Sequence, residues 1–94
     1  MAKDTLIKKL NRLLADHLDD FASGLIPGES NDRVLGFIVS AKFVGHDHAD
    51  RQTMLLDLLR QFVNDGRLSE REHERIGPIV TMTPDEATLK DDAA

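Results

Sequence analysis

Residues 33–62 read R-V-L-G-F-I-V-S-A-K-F-V-G-H-D-H-A-D-R-Q-T-M-L-L-D-L-L-R-Q-F. A dense apolar run feeds a Gly-His-Asp-His corner, and an amphipathic segment follows. The alternation from Val34 to Val44 predicts a strand. Leu35, Phe37, Val39, Ala41 and Phe43 share a wholly apolar face suited to meeting helices. Val34, Gly36, Ile38, Ser40, Lys42 and Val44 share a mixed face suited to the open side. Gly45 turns the chain, Asp47 is placed to cap a helix and Asp50 adds negative charge to its first turn. Met54, Leu55, Leu58, Leu59, Phe62 and Val63 form that helix's apolar stripe, and Asn64-Asp65-Gly66 ends it.

Towards the N-terminus, Asp4 or Thr5 can cap a first helix whose stripe is Leu6, Ile7, Leu10, Leu13, Leu14 and Leu18, with Phe21 extending it. Lys8, Lys9 and Arg12 occupy the opposite side with Asp16 and Asp20 nearby, the pattern of a solvated face. Phe21 to Ile26 reads as a short edge strand. Pro27 to Asp32 has turn composition and joins it to the next strand as a hairpin.

Towards the C-terminus, Ser69 and Glu72 have capping-box spacing for a short helix reaching about Arg75. There Arg67, Arg71 and Arg75 interleave with Glu70, Glu72 and Glu74, as in a surface helix laced with ion pairs. Ile76 to Met82 reads as a last strand with Pro78 on an edge. Thr83-Pro84-Asp85-Glu86 is a helix start, and residues 90–94 read as a frayed tail. The order is helix, strand, strand, helix, helix, strand, helix. It predicts one α/β domain over residues 1–94, with a three-stranded sheet and helices packed on one face.

Composition narrows the functions. Ninety-four residues suit a single core, and 40% hydrophobic content supports a folded chain. A net charge of −5 disfavours nucleic acid, and four Phe without Trp or Tyr leave little for bases to stack on. No Cys is present for a disulfide, thiolate ligand or thiol nucleophile. No run approaches the ~20 apolar residues of a membrane span, so a cytoplasmic protein with no membrane partner is the default expectation.

At this point the chain resembles the BolA-like family, whose small α/β fold is related to class II KH domains. Val39-Ser40-Ala41-Lys42-Phe43-Val44-Gly45 is similar to the family's V-V-S-x-x-F-x-G. Arg51 falls where the family's helix carries R-H-R, and Thr83-Pro84-Asp85-Glu86 resembles the T-P-E-E after the last strand. The resemblance implies a non-enzymatic regulatory module, linked to stress response, that pairs with monothiol glutaredoxins around a [2Fe–2S] cluster or regulates transcription. The chain departs from the family in three places. Arg51-Gln52-Thr53 stands for R-H-R. Arg75, or His73 with a shift, stands where the family has a His. The loop from Gly24 to Asp32 lacks the Cys or His of cluster-handling members. Cluster ligands are thiolates or imidazoles, so no cofactor is expected.

The corner supplies the candidate contact residues Phe43, Gly45 and Arg51. Arg51 either braces the corner against Asp47, four residues earlier, or offers its fork to an anion or a partner carboxylate. Gly45 either permits a turn or lets nucleic-acid backbone approach, although His48 stands where a KH clamp has its second Gly. His46 and His48 flank Asp47 and, with His73, are the candidate ligands of an alternative small metal-binding or carrier protein. Two imidazoles do not close a site, and a polar loop capping a helix is the favoured explanation of them. No nucleophile or oxyanion site is recognisable, so an enzyme is not expected. The remaining alternative is a KH-like nucleic-acid-binding module.

Overall fold

The computed structural model describes residues 2–28 and 33–93, with side chains described for 5–28 and 33–88. The elements are α1 (Ala2–His17), β1 (Ala22–Pro27), β2 (Val34–Val39), a 3-10 turn (Ala41–Phe43), α2 (His48–Asn64), α3 (Glu70–Glu74), β3 (Ile76–Met82) and α4 (Pro84–Ala93). The expected α/β class and order of elements are present. Asp4 and Thr5 lie inside α1 rather than at its cap, and α4 runs through Ala93, taking in most of the segment read as a tail. The hairpin turn's residues 29–32 lie outside the described residues.

The sheet has the order β1-β2-β3. β1 pairs antiparallel with β2, and β2 pairs parallel with β3 with an irregularity between Val34 and Gly36. A parallel pair needs a crossover, which the 3-10 turn, α2 and α3 supply. Leu6, Leu10, Leu14, Leu55, Leu59 and Phe62 bring the stripes of α1 and α2 onto one sheet face, where Val34, Ile38 and Ile79 receive them. Leu68, in the link before α3, completes this core.

Two expectations about β2 are corrected. The strand ends at Val39 rather than Val44, because Ser40 turns the chain. Ser40 is fully buried, its Oγ donates to Asp19 O at 2.7 Å, and Lys42 N donates back to that Oγ at 3.1 Å. The face towards the helices is Val34, Gly36 and Ile38, not Leu35, Phe37 and Val39. The pairing agrees: Ser23 lies opposite Ile38 and donates to Asn11 Oδ1 on α1 at 2.6 Å. The 3-10 turn breaks the period-two alternation, so Phe43 reaches the core without sharing a strand face with Phe37.

Gly36 is required on that inner face. Its φ is +134°, and a Cβ there would stand 2.0 Å from Gly24 O. No flexible side chain can yield to relieve that overlap, because the obstacle is backbone.

Candidate functional site

The corner is built on Ser40, whose backbone ties three segments. Its N–H donates to Met82 O at 3.0 Å, its carbonyl accepts from Phe43 N at 3.2 Å, and the next residue, Ala41, donates to Asp19 O at 3.0 Å. The end of β2, the end of β3 and the loop after α1 therefore meet there. Phe43 is fully buried and holds the corner from beneath, so it does not line a contact surface as expected from sequence. The chain then emerges: Val44 is 62% exposed. Gly45 adopts φ +84°, and a Cβ placed on it would meet no atom of the surrounding chain within 4 Å. It is needed for the turn, and its outer side is open.

Asp47 caps α2 as its position in the sequence suggests. Its backbone is extended and its Oδ1 accepts from Asp50 N at 2.8 Å. His46 and His48 are exposed on either side, and His46 Nδ1 lies 3.9 Å from Asp50 Oδ2. His73 sits apart on α3. It lines a groove with Gln52, Leu56 and Pro78, which lie on α2 and β3. Among the described residues, no group of three or more His, Cys, Asp or Glu side chains is arranged to hold a metal ion.

Arg51 links the corner to the end of the chain. It is only 7% exposed. Its Nε donates to His46 O at 2.8 Å. Its Nη1 and Nη2 donate to Glu86 Oε1 at 2.8 Å and Oε2 at 3.3 Å, a two-pronged charge-assisted pair. Thr81 O lies 3.5 Å from Nη1. The acid that Arg51 meets is thus Glu86 on α4, 35 residues away, whereas Asp47 is joined to Arg51 through the helix backbone bond from Arg51 N to Asp47 O.

Glu86 has a second task. Its Oε1 also accepts from Thr83 N at 2.9 Å, while Thr83 Oγ1 accepts from Glu86 N at 3.2 Å, the reciprocal capping box. The Arg51 guanidinium, and then the Thr83 amide, hold the Glu86 carboxyl below its ordinary range. One carboxylate therefore starts α4 and anchors the corner.

The neighbouring residue, Gln52, donates from Nε2 to Ile79 O at 2.9 Å. Ile79 and Thr81 are two apart on β3, so their carbonyls leave the same side of the strand. The start of α2 thus lies along the outer edge of β3.

Sequence reasoning missed Glu86 as the partner of Arg51, and Val44 as an exposed apolar residue. Thr83-Pro84-Asp85-Glu86 announced the cap but gave no sign that the carboxylate had a distant partner. Comparison with protein families, with curated proteins and with solved structures returns no match for this chain. No helix among the described residues is long and apolar enough to cross a membrane.

Proposed function

We propose that this chain is a non-enzymatic binding module of the BolA-like kind, acting through a protein partner at the corner between β2 and α2. A monothiol glutaredoxin is the first partner to test. The observation that carries the reading is convergence. The Thr83–Glu86 fragment that resembles the family lies far along the chain from the other two, Val39–Gly45 and Arg51, yet Arg51 joins His46 to Glu86, and Ser40 bonds Met82 next to that fragment. A cluster assembled from dispersed motif residues is what a shared functional corner requires.

In this reading Arg51 and Phe43 are positioning residues. Arg51's fork is filled by Glu86, and Phe43 is buried beneath. The contact surface is Val44 to His48, an exposed apolar side chain followed by a glycine turn and the amide-rich start of α2. The exposed carboxylates of Asp47 and Asp50 already occupy that helix start and suit a basic group of the partner, and Val44 supplies apolar contact beside them.

Calorimetric titration with a reduced, cluster-free monothiol glutaredoxin tests the proposal. Saturable one-to-one binding that Val44→Asp weakens about tenfold or more supports it, that being the scale of a residue central to a small interface. Binding of zinc or copper with loss on replacing His46 and His48 would favour the metal carrier. Salt-sensitive binding of single-stranded nucleic acid would favour the KH-like reading.

A further inference from the structure

Three donors converge on one carboxylate at the head of α4. Arg51 Nη1 and Thr83 N both donate to Glu86 Oε1, at 2.8 Å and 2.9 Å, and Arg51 Nη2 donates to Oε2 at 3.3 Å. The two sides of this contact are held differently. The donor side is built into the body of the fold. Arg51 is 7% exposed, its Nε is tied to His46 O, and its guanidinium lies against Thr81 O on β3. Thr83 is also buried, and Met82 before it is fixed to the end of β2 through Ser40. None of these ties involves α4.

The acid side is held loosely. The Glu86 side chain is 40% exposed, although its partner is nearly buried. Pro84 to Thr88, the part of α4 whose side chains are described, add nothing to the hydrophobic core. Among the described residues, the bonds of α4 to another helix or strand are those of Glu86 to Arg51. Thr88 Oγ1 and Ala87 N turn back onto Pro84 and Thr83. An ion pair with one exposed partner is weak, so an incoming acid meets little resistance beyond the tether itself.

We propose that the Arg51 fork and the Thr83 amide form a carboxylate receptor, and that Glu86 is its internal ligand, displaced by an acidic side chain of a partner. The group seated in the cradle shows what fits. A planar carboxylate meets the flat guanidinium with both oxygens at once, and the Thr83 N–H adds a further donor. His46 O and Thr81 O aim the guanidinium without help from α4, so the receptor keeps its shape when Glu86 leaves and the new acid need not organise it. The contact is autoinhibitory because Glu86 is present at high local concentration and a free acid must compete with it. The inference concerns the fork rather than the surface from Val44 to His48 and does not rest on the proposed function.

Glu86→Ala empties the cradle without touching the core, and a resonance titration of the labelled chain tests the receptor. The probe is N-acetylglutamate α-amide, which carries a side-chain carboxylate, with N-acetylglutamine α-amide as its neutral twin. Both are added at neutral pH and constant ionic strength, following Arg51 Nε–H and Thr83 N–H. The acid should give saturable shifts at both groups in Glu86→Ala and raise its melting temperature. It should bind the parent chain about tenfold or more weakly, because the tethered Glu86 competes. The neutral twin should do nothing, and adding Arg51→Met to Glu86→Ala should abolish the response. Glu86→Gln keeps the shape of the cap with a neutral occupant, and the acid should displace it more readily than it displaces Glu86. Equal binding to Glu86→Ala and the parent chain overturns the proposal. So does an equal response to the neutral twin, or binding that survives Arg51→Met.

Discussion

Replacing Arg51 should destabilise the fold far more than breaking a surface ion pair. In Arg51→Ala the loss has three parts. The carbonyl of His46 loses a charged donor at 2.8 Å, worth about 1 kcal/mol where water can partly replace it. The pair with Glu86 is discounted because that side chain is 40% exposed and rehydrates, leaving about 0.5–1 kcal/mol. The two methylenes beyond Cβ leave a nearly buried site at ~0.8 kcal/mol each. The total is about 3–3.5 kcal/mol, or a fall in melting temperature of roughly 12–28 °C for a domain of this size. Thermal and urea denaturation followed by circular dichroism measure it directly. Arg51→Met keeps most of the stem packing and should recover about half of the loss, which separates packing from charge. A Tm within two degrees of the parent for Arg51→Ala would refute the reasoning. It would mean that α4 is not fastened to the corner through Glu86.

Three further outcomes follow from the geometry. Ile38→Ala, at a fully buried position, should cost about 2–5 kcal/mol, whereas Phe37→Ala on the bare face should cost clearly less; the reverse order in urea titrations would return β2 to the opposite facing. Gly36→Ala should give little or no folded protein, judged by the loss of dispersed amide resonances, because its Cβ would overlap Gly24 O; a folded spectrum contradicts the observed register. On acidification, Glu86 and Glu72 both have folded-state pKa values below the ordinary 4.5, Glu86 through Arg51 and Glu72 through Lys9 at 2.8 Å. Their stabilisation is therefore fully present above about pH 4.5 and is lost as pH falls through their lowered values. Glu86→Gln should flatten the acid limb of a stability-against-pH curve, and an unchanged limb contradicts the linkage.

The helices were legible because their signals are local. The α2 stripe, the Asp47 cap and the boxes Ser69–Glu72 and Thr83–Glu86 each lie within a few helical turns, and the caps appear with their expected bonds. Two ion pairs tie the acids of α3 to other helices, Lys9 to Glu72 and Arg60 to Glu70, and neither belongs to the interleaved Arg67, Arg71 and Arg75 series read from the sequence. The facing of β2 was not legible. From Val34 to Val39 both faces are apolar, so a period of two cannot say which is inside. Following the alternation through Phe43 counted a core residue of the 3-10 turn as part of the strand. Ser40 decides where the strand stops, through a bond to Asp19 O that spans 21 residues. Leu68 is a lone apolar residue between helices, and nothing in its neighbours marks it as core. At the corner, the sequence offered Arg51 an acid four residues away, but the fold supplies one 35 residues away. Spacing along a helix cannot show a contact made by the next layer.

The most direct test of the account is a resonance titration of the isotope-labelled chain with reduced, cluster-free monothiol glutaredoxin. The account predicts saturable shift changes concentrated from Val44 to Asp50, small secondary changes at Thr83 and Glu86 through the Arg51 link, and little change on α1. Absence of any perturbation, or perturbations that bypass the corner and gather elsewhere on the fold, would contradict it.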